Sequence, residues 1–383
     1  MTMLQEIEIK EPKGESETGQ LKIQSDFESE SDIERNPLKK PALTEIRTIN
    51  SLIRRIAKNI AVSLHLTKLI FSIDKRQKLI DVRRGIGDVM IEVSSFCQLE
   101  CIHCYREQHE YDSRNINMKL DVFKKIIDEL GPIKRPLSGI WGKRTITLQG
   151  VGEPTLNPKI KRMIEYSSNA GFEVILGTNL TTLSFDKFSK LINSGIDKLV
   201  ISIDTLNREN IPSTRTLTDV NKLINNFTKL SEEFNHSMYV RTAVSKINMN
   251  DMLEIKNLLL KNNISLENWL LQPIQLFESN EFGLDNKDVE IVNEMIGCGS
   301  KLNLRELPIT KTTCREPNTS LYINATGHVM PCCHYCDDKI INFGNVEHNS
   351  IKEIYGSTKL DEFREKLYYS NDPPSECKDC LYR

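Results

Sequence analysis

From residue 86 to about residue 285 the chain alternates two kinds of segment, and this alternation constrains its fold more than any other feature. Apolar, β-branched runs occur at Asp88–Phe96, Thr145–Gly150, Phe172–Gly177, Lys198–Ile203, Met238–Val244 and Trp269–Ile274. Between them lie Leu120–Leu130, Lys159–Ala170, Phe185–Asn193, Asn221–Phe234 and Met252–Lys261, where apolar residues recur at helical spacing. Strands alternating with helices predict an α/β domain whose parallel sheet is covered by helices. Periodicity alone leaves two architectures open, a doubly wound sheet and part of a (β/α) barrel. After about residue 285 the pattern gives way to Cys-, Pro- and Asn-rich segments, with a short helix expected near Ser350–Leu367.

The chain is long enough, at 383 residues, for about two domains. Its 51 Lys and Arg nearly balance its 53 Asp and Glu, so no global charge excess points to nucleic acid. Residues 1–40 hold ten acidic and six basic residues, which predicts a disordered acidic tail over 1–45. Over 46–84 ten basic residues face two acidic ones, and Ile49, Leu52, Ile53, Ile56 and Ile60 recur at helical spacing. A basic helical extension is expected over 46–85, either packed as a solvated helix or offered to an acidic partner. Met1–Lys10 lacks the apolar run of a secretory signal. Asn59–Ile73, the longest apolar candidate, is interrupted by His65 and Lys68, so no membrane span is expected. Close-set cysteines without a secretory signal fit metal or redox chemistry in a reducing cytoplasm.

The ten cysteines fall in two groups. Cys97, Cys101 and Cys104 sit in one loop directly after the first strand, in Phe96-Cys97-Gln98-Leu99-Glu100-Cys101-Ile102-His103-Cys104-Tyr105. Three thiolates at spacings of four and three can wrap one compact inorganic centre, and three protein ligands leave one metal position open. A zinc ion completed by His103 or His109 is the alternative, although His103 adjoins Cys104 and is awkwardly placed for the same tetrahedron.

This C-x3-C-x2-C loop after the first strand of a βα series resembles the signature loop of the radical SAM superfamily. The resemblance implies that Cys97, Cys101 and Cys104 hold a 4Fe–4S cluster whose unligated iron chelates S-adenosylmethionine. It also implies one-electron cleavage to methionine and a 5′-deoxyadenosyl radical, and a small electron-transfer protein as reductant. Gly150-Val151-Gly152-Glu153-Pro154 is similar to the family's Gly-Gly-Glu-Pro motif, with Val151 in place of the first glycine. The similarity places Gly150, Gly152 and Glu153 against the ammonium of S-adenosylmethionine. Glycine admits close backbone approach and the carboxylate offers charge to a cation.

Gly177-Thr178-Asn179 is similar to the family's Thr-Asn-Gly segment, with Leu180 replacing the last glycine. Ser202-Ile203-Asp204 is similar to its Ser-hydrophobic-Asp segment, and Arg241 lies on the fifth strand. In such proteins these groups lie near the cofactor or substrate, so Asn179, Ser202, Asp204 and Arg241 join the cofactor-binding set. The resemblance selects the partial (β/α)6 barrel over 86–285. No Gly-rich dinucleotide or phosphate loop occupies the first turn.

The second group is Cys298, Cys314, Cys332, Cys333, Cys336, Cys377 and Cys380. Cys314-x12-Gly327-x4-Cys332 and the terminal Cys377-x2-Cys380 resemble the SPASM/twitch extension of radical SAM enzymes. Residues 286–383 are therefore expected to form a small Cys-rich domain. The resemblance implies a second, auxiliary 4Fe–4S cluster on Cys314, Cys332, Cys377 and Cys380, with structural zinc as the alternative. Cys333 and Cys336 exceed that pattern; one could substitute as a ligand or return hydrogen to a product radical. Cys298, between Gly297 and Gly299, is expected to be a loop or core residue.

The function expected is hydrogen abstraction from a substrate C–H in maturation of a ribosomally made peptide, by cross-linking, oxidation or epimerisation. The spacing is also similar to a sugar-alcohol-oxidising twitch dehydrogenase, which keeps a sugar or aminocyclitol as alternative substrate. A zinc-stabilised binding protein without turnover, and a degenerate scaffold acting as a partner chain, are the rivals outside that class.

Overall fold

The computed structural model describes residues 86–108, 113–131, 135–137, 140–142, 144–274, 282–297, 301–302, 314, 316–335, 337–369, 372–378 and 380. The acidic tail and basic extension expected over 1–85, together with His109, Cys298 and Cys336, lie outside these residues.

In chain order the strands are β1 (Asp88–Ile91), β2 (Glu100–Cys101), β3 (Arg135–Leu137), β4 (Ile140–Gly142), β5 (Thr145–Leu148) and β6 (Glu173–Thr178). They continue with β7 (Lys198–Ser202), β8 (Arg215–Thr216), β9 (Met238–Val244), β10 (Trp269–Pro273), β11 (Ser320–Ile323) and β12 (Val329–Met330). The α-helices are α1 (Tyr105–Gln108), α2 (Leu120–Leu130), α3 (Ile160–Asn169), α4 (Phe185–Ile192), α5 (Val220–Phe234) and α6 (Met252–Lys261). After them come α7 (Asn286–Ile296), α8 (Glu316–Thr319), α9 (Ile351–Tyr355), α10 (Thr358–Tyr369) and α11 (Ser375–Lys378).

One eight-stranded sheet runs in the order β10-β9-β7-β6-β5-β1-β11-β12. From β1 to β10 the parallel strands follow one another in chain order. A doubly wound sheet would reverse direction at its first strand, so the order is that of a (β/α) barrel. Among the described residues β10 and β12 are not paired with each other, and the array is a partial barrel.

Alternation along the strands sorts two faces. On β9, Met238, Val240, Thr242 and Val244 are buried, whereas Tyr239, Arg241 and Ala243 are partly exposed. The buried set meets the helices. On α2 these are Phe123, Ile126, Ile127 and Leu130, and on α5 they include Val220, Leu223, Phe227 and Leu230, each set on one helical stripe. Trp269 anchors this layer: its indole Nε1 donates to Thr242 Oγ1 at 2.9 Å, and that hydroxyl donates to the Ile203 carbonyl at 2.6 Å. Truncating so large a buried side chain costs about 3–5 kcal/mol. The other face carries the partly exposed polar side chains of the site.

Three sequence expectations need correction. β1 ends at Ile91 rather than Phe96, because the chain leaves the ladder there and Ser94 bridges Asn117 instead. Regular structure does not dissolve after residue 285. Asp285 and Asp288 form a reciprocal capping box that starts α7, and β11 pairs in parallel with β1 as a further strand of the sheet. The helix expected over Ser350–Leu367 is two helices. A Ser350–Glu353 capping box starts α9, and Gly356 caps its end before α10 begins.

Candidate active site

A cavity of about 250 Å³ opens at the carboxyl ends of the parallel strands. Of the residues singled out in the sequence, Cys97, Cys101, Cys104, Gly150, Gly152, Glu153, Asn179, Ser202, Asp204, Arg241 and Cys333 line it. The βα frame therefore collects on one surface groups spread over more than 230 residues of chain.

The cysteine loop is held from three sides. Cys101 pairs with Arg215 across the β2–β8 ladder, and Ile102 N–H donates to the Thr214 carbonyl at 3.1 Å. Glu153 N–H donates to the Phe96 carbonyl at 2.7 Å, which ties the glycine loop to the cysteine loop. Gln98 Nε2 donates to Asn179 Oδ1 and to Thr181 Oγ1, both at 2.9 Å. Burial pushes the Cys97 thiol up to about 11 and the Cys101 thiol up to about 12, and raises Cys104 as well. Binding a metal centre as thiolates therefore releases protons.

The glycine loop shows why its glycines are needed. A Cβ on Gly152 would stand 2.2 Å from the Ser94 carbonyl oxygen and 2.6 Å from Ser95 backbone atoms. A Cβ on Gly150 would meet the Glu92 side chain at 2.3 Å. The close approach is thus to the chain's own β1 exit, before any ligand is considered.

Glu153, 2 % exposed, is satisfied internally. Its carboxylate accepts from Thr155 Oγ1 at 2.5 Å, Thr178 Oγ1 at 2.8 Å, Asn179 N–H at 2.8 Å and Thr155 N–H at 3.2 Å. Desolvation raises its pKa against the pull of those donors. In this arrangement Glu153 braces the glycine loop against the end of β6 while lining the cavity. Leu180, where glycine was the expected motif residue, keeps the left-handed backbone at φ 62° and is fully buried. Such a conformation costs a non-glycine residue about 1–2 kcal/mol.

Asp204 organises the next wall. Its Oδ1 accepts from Ala243 N–H at 2.8 Å, and its Oδ2 pairs with Arg215 Nε at 2.6 Å and lies 3.6 Å from His103 Nε2. Arg215 Nη1 reaches Cys101 Sγ at 3.9 Å. Burial lowers the His103 pKa, with Asp204 opposing, so His103 is neutral near pH 7. Arg215 was not legible from sequence, since a two-residue strand has no periodicity. Neither was Gln149, whose side chain occupies the space that Gly177 leaves.

The opposite wall comes from the C-terminal segment. Gly327, at φ 85°, turns the chain between β11 and β12, and its N–H donates to the Asn324 carbonyl at 2.9 Å. Buried Asn324 Oδ1 accepts from Thr326 Oγ1 and from His328 N–H, both at 2.8 Å. The motif glycine is therefore a turn residue that delivers Cys332 directly past β12. Burial raises the Cys332 thiol well above its usual range, and its charge neighbours include Cys333, Cys314 and Cys380. Cys377 stands on α11, one turn before Cys380. Cys333 and His334 face the cavity that holds the first cysteine loop.

One buried contact joins the two walls. Glu92 follows β1, is 1 % exposed, and accepts from Tyr322 Oη of β11 at 2.5 Å and from Val151 N–H at 3.1 Å. Desolvation lifts its pKa to about 7, against the hydrogen bonds that favour its charged form. The sequence carried a signal for it: a carboxylate inside the apolar run Val89–Val93. Tyr322 also packs in a small apolar cluster with Tyr105, Met330, Val151 and Cys333.

The donor set fits iron–sulfur clusters better than zinc. Four thiolates on one zinc at 2.3 Å stand about 3.8 Å apart by tetrahedral geometry. Among the described residues no three Cys, His, Asp or Glu side chains gather in a single-ion site. Three thiols of one loop lining a shared cavity suit a larger centre with an open position.

Comparison with known proteins agrees. A model of the radical SAM superfamily matches residues 91–259, and a model of the SPASM iron–sulfur cluster-binding domain matches 314–381. The tungsten-containing aldehyde ferredoxin oxidoreductase cofactor-modifying protein of Pyrococcus furiosus is 27 % identical over 325 residues, covering 76 % of this chain and 86 % of its own. Streptococcus suis SuiB bound to S-adenosylmethionine shares the fold, with a TM-score of 0.58 at 16 % identity over 80 % of this chain and 75 % of SuiB. So does anSMEcpe with bound AdoMet and the Cp18Cys peptide, with a TM-score of 0.54 at 18 % identity over 77 % of this chain and 86 % of that one. Among the described residues no helix is long and apolar enough to cross a membrane. With a cysteine loop, a glycine loop and Cys333 of the C-terminal segment lining one cavity, and with both family models matching, the chain belongs to the radical SAM superfamily as an S-adenosylmethionine-dependent iron–sulfur enzyme with a C-terminal SPASM domain.

Proposed function

We propose that this enzyme abstracts hydrogen from a C–H bond of a peptide substrate bound between the cysteine loop and the C-terminal wall. One observation carries the reading: Cys333 and His334 line the same cavity as Cys97, Cys101 and Cys104. A substrate held there touches both cysteine regions at once. Bound at the loop, a 4Fe–4S cluster with S-adenosylmethionine supplies one-electron sulfonium cleavage and a carbon-centred radical that takes hydrogen from substrate.

The chain's own residues do the positioning. Cys97, Cys101 and Cys104 are the ligands of that cluster, held by Gln98, Arg215 and the Phe96–Glu153 bond. Gly150, Gly152, Glu153, Asn179, Ser202 and Asp204 line the adjoining cofactor side. Cys314, Cys332, Cys377 and Cys380 are the ligands of the auxiliary cluster, and the hairpin at Gly327 brings the second of them into place. Cys333, which lines the cavity, returns hydrogen to a substrate radical in this reading: its S–H bond breaks as the C–H bond forms. The thiyl is then restored by one electron from a small electron-transfer protein and one solvent proton. Cys336, the other candidate donor, lies outside the described residues.

The peptide reading is supported by the fold shared with SuiB, which has been solved bound to its precursor peptide SuiA. Its test uses uniformly deuterated cell extract divided into peptide and small-molecule fractions. Reduced enzyme with S-adenosylmethionine should move deuterium into 5′-deoxyadenosine from the peptide fraction, and protease treatment should abolish the transfer. Transfer from the small-molecule fraction alone overturns the peptide reading in favour of a sugar or aminocyclitol. Solvent deuterium at the product carbon, lost in Cys333→Ala, would mark Cys333 as the donor.

A further inference from the structure

Two arginines reach the cavity, and they stand in opposite electrostatic situations. Arg215 is matched by the Asp204 carboxylate at 2.6 Å. Arg241 has no such match: among the described residues no carboxylate stands within ion-pair distance of it. Among the described residues its one hydrogen bond goes from Nη1 to the neutral Gln149 Oε1, at 3.3 Å. Its Nε is buried and takes no hydrogen-bond partner. Glu316, whose charge also reaches Cys333, is exposed and accepts a hydrogen bond from Ser320.

A guanidinium donor removed from water without a partner is costly, and an anion that reached it would relieve that cost. The guanidinium fork matches a carboxylate or a phosphate with two parallel hydrogen bonds. Position decides which molecule brings that anion. The cysteine loop, where S-adenosylmethionine would be chelated, already has Arg215 at 3.9 Å from Cys101 Sγ. Arg241 instead extends from β9 beside Ser202 in register, and its charge bears on Cys333 and His334 of the C-terminal wall.

We infer that Arg241 anchors an oxyanion of the substrate, a carboxylate or a phosphate, and so sets the substrate class as anionic at the end facing Cys333. This rests on reading the cavity as the shared site of S-adenosylmethionine and substrate, and it is independent of whether that substrate is a peptide. It moves Arg241 from the cofactor side, where sequence resemblance placed it, to the substrate side.

The test is calorimetry on anaerobic holoenzyme, with S-adenosylmethionine titrated first and then glutarate or inorganic phosphate titrated into the saturated enzyme. The wild type should bind one of the two anions, and the preferred one tells carboxylate from phosphate. Arg241→Gln should raise that anion's Kd at least tenfold while moving the Kd of S-adenosylmethionine less than threefold. Should Arg241→Gln fold poorly, Gln149→Glu gives the arginine an internal partner and should weaken the anion equally with the guanidinium in place. The inference is overturned if Arg241→Gln raises the Kd of S-adenosylmethionine tenfold, if neither anion binds the saturated wild type, or if the variants bind the anion as the wild type does. A wild type with full clusters that does not bind S-adenosylmethionine removes the parent reading of the cavity, a result distinct from all of these.

Discussion

The two cysteine regions of this enzyme are built on opposite plans. In the first, three thiols stand within eight residues of one loop, and the surrounding barrel holds that loop through backbone and amide contacts from β6, β8 and the glycine loop. In the second, the charges of Cys314, Cys333 and Cys380 bear on Cys332, which the β11–β12 hairpin delivers from more than 200 residues after the first loop. A site of the first kind takes the order of its thiols from local spacing, and the barrel contacts fix where the loop lies. The second depends on long loop closures, and its metal would contribute directly to the folding of the segment.

The largest expected effect tests the first plan. Replacing Cys97, Cys101 and Cys104 by alanine should lower 5′-deoxyadenosine formation with dithionite by about a hundredfold or more, since the metal loses its own ligands rather than their supports. Retained deoxyadenosine formation would break the assignment of this loop. The next tests the second plan by its independence. Cys314→Ala with Cys332→Ala should remove about four iron per chain, one cubane's worth, and abolish product while deoxyadenosine is still made. Unchanged iron would show that these two positions are not ligands and would turn attention to Cys333 and Cys336.

The smallest effect concerns the bond that joins the regions. Glu92 sits beneath the glycine loop and accepts from Tyr322 of the C-terminal strand, with Ala325 and the charge of Asp338 also acting on it. Burial raises its pKa from 4.5 to about 7. The folded state therefore prefers the neutral carboxyl. Its stabilising contribution is complete below about pH 4.5 and is lost as pH rises through about 7. Over the accessible window from pH 5.5 to 8, wild type should lose about 2 kcal/mol of stability through this group. Glu92→Gln, which keeps an acceptor for Tyr322 and Val151, should lack that slope in anaerobic urea titrations. A variant with the wild-type slope would remove Glu92 as its source.

Much of this molecule was legible because its signals are local. The β9 and α2 boundaries agree residue for residue with the apolar pattern, since a buried stripe on a strand or helix needs only its own periodicity. The cysteine loop was legible for the same reason: its three thiols lie within eight residues of each other. Arg215 and β11 were not, because a two-residue strand and a four-residue strand from the far end of the chain owe their places to pairing partners more than 100 residues away.

Sequence by itself determined the alternation of the main parallel strands β1, β5, β6, β7, β9 and β10 with their helices, the three-thiol loop and the glycines at 150 and 152. Each follows from steric or periodic rules that act over a few residues. Tertiary structure decided the rest. It placed Glu153 in an internal hydrogen-bond network, matched Arg215 with Asp204, and among the described residues left Arg241 without a carboxylate at ion-pair distance. It also brought Cys333 across the cavity from Cys97. Charge compensation and burial depend on what the folded chain brings near a group in space, and no spacing along the chain contains that information.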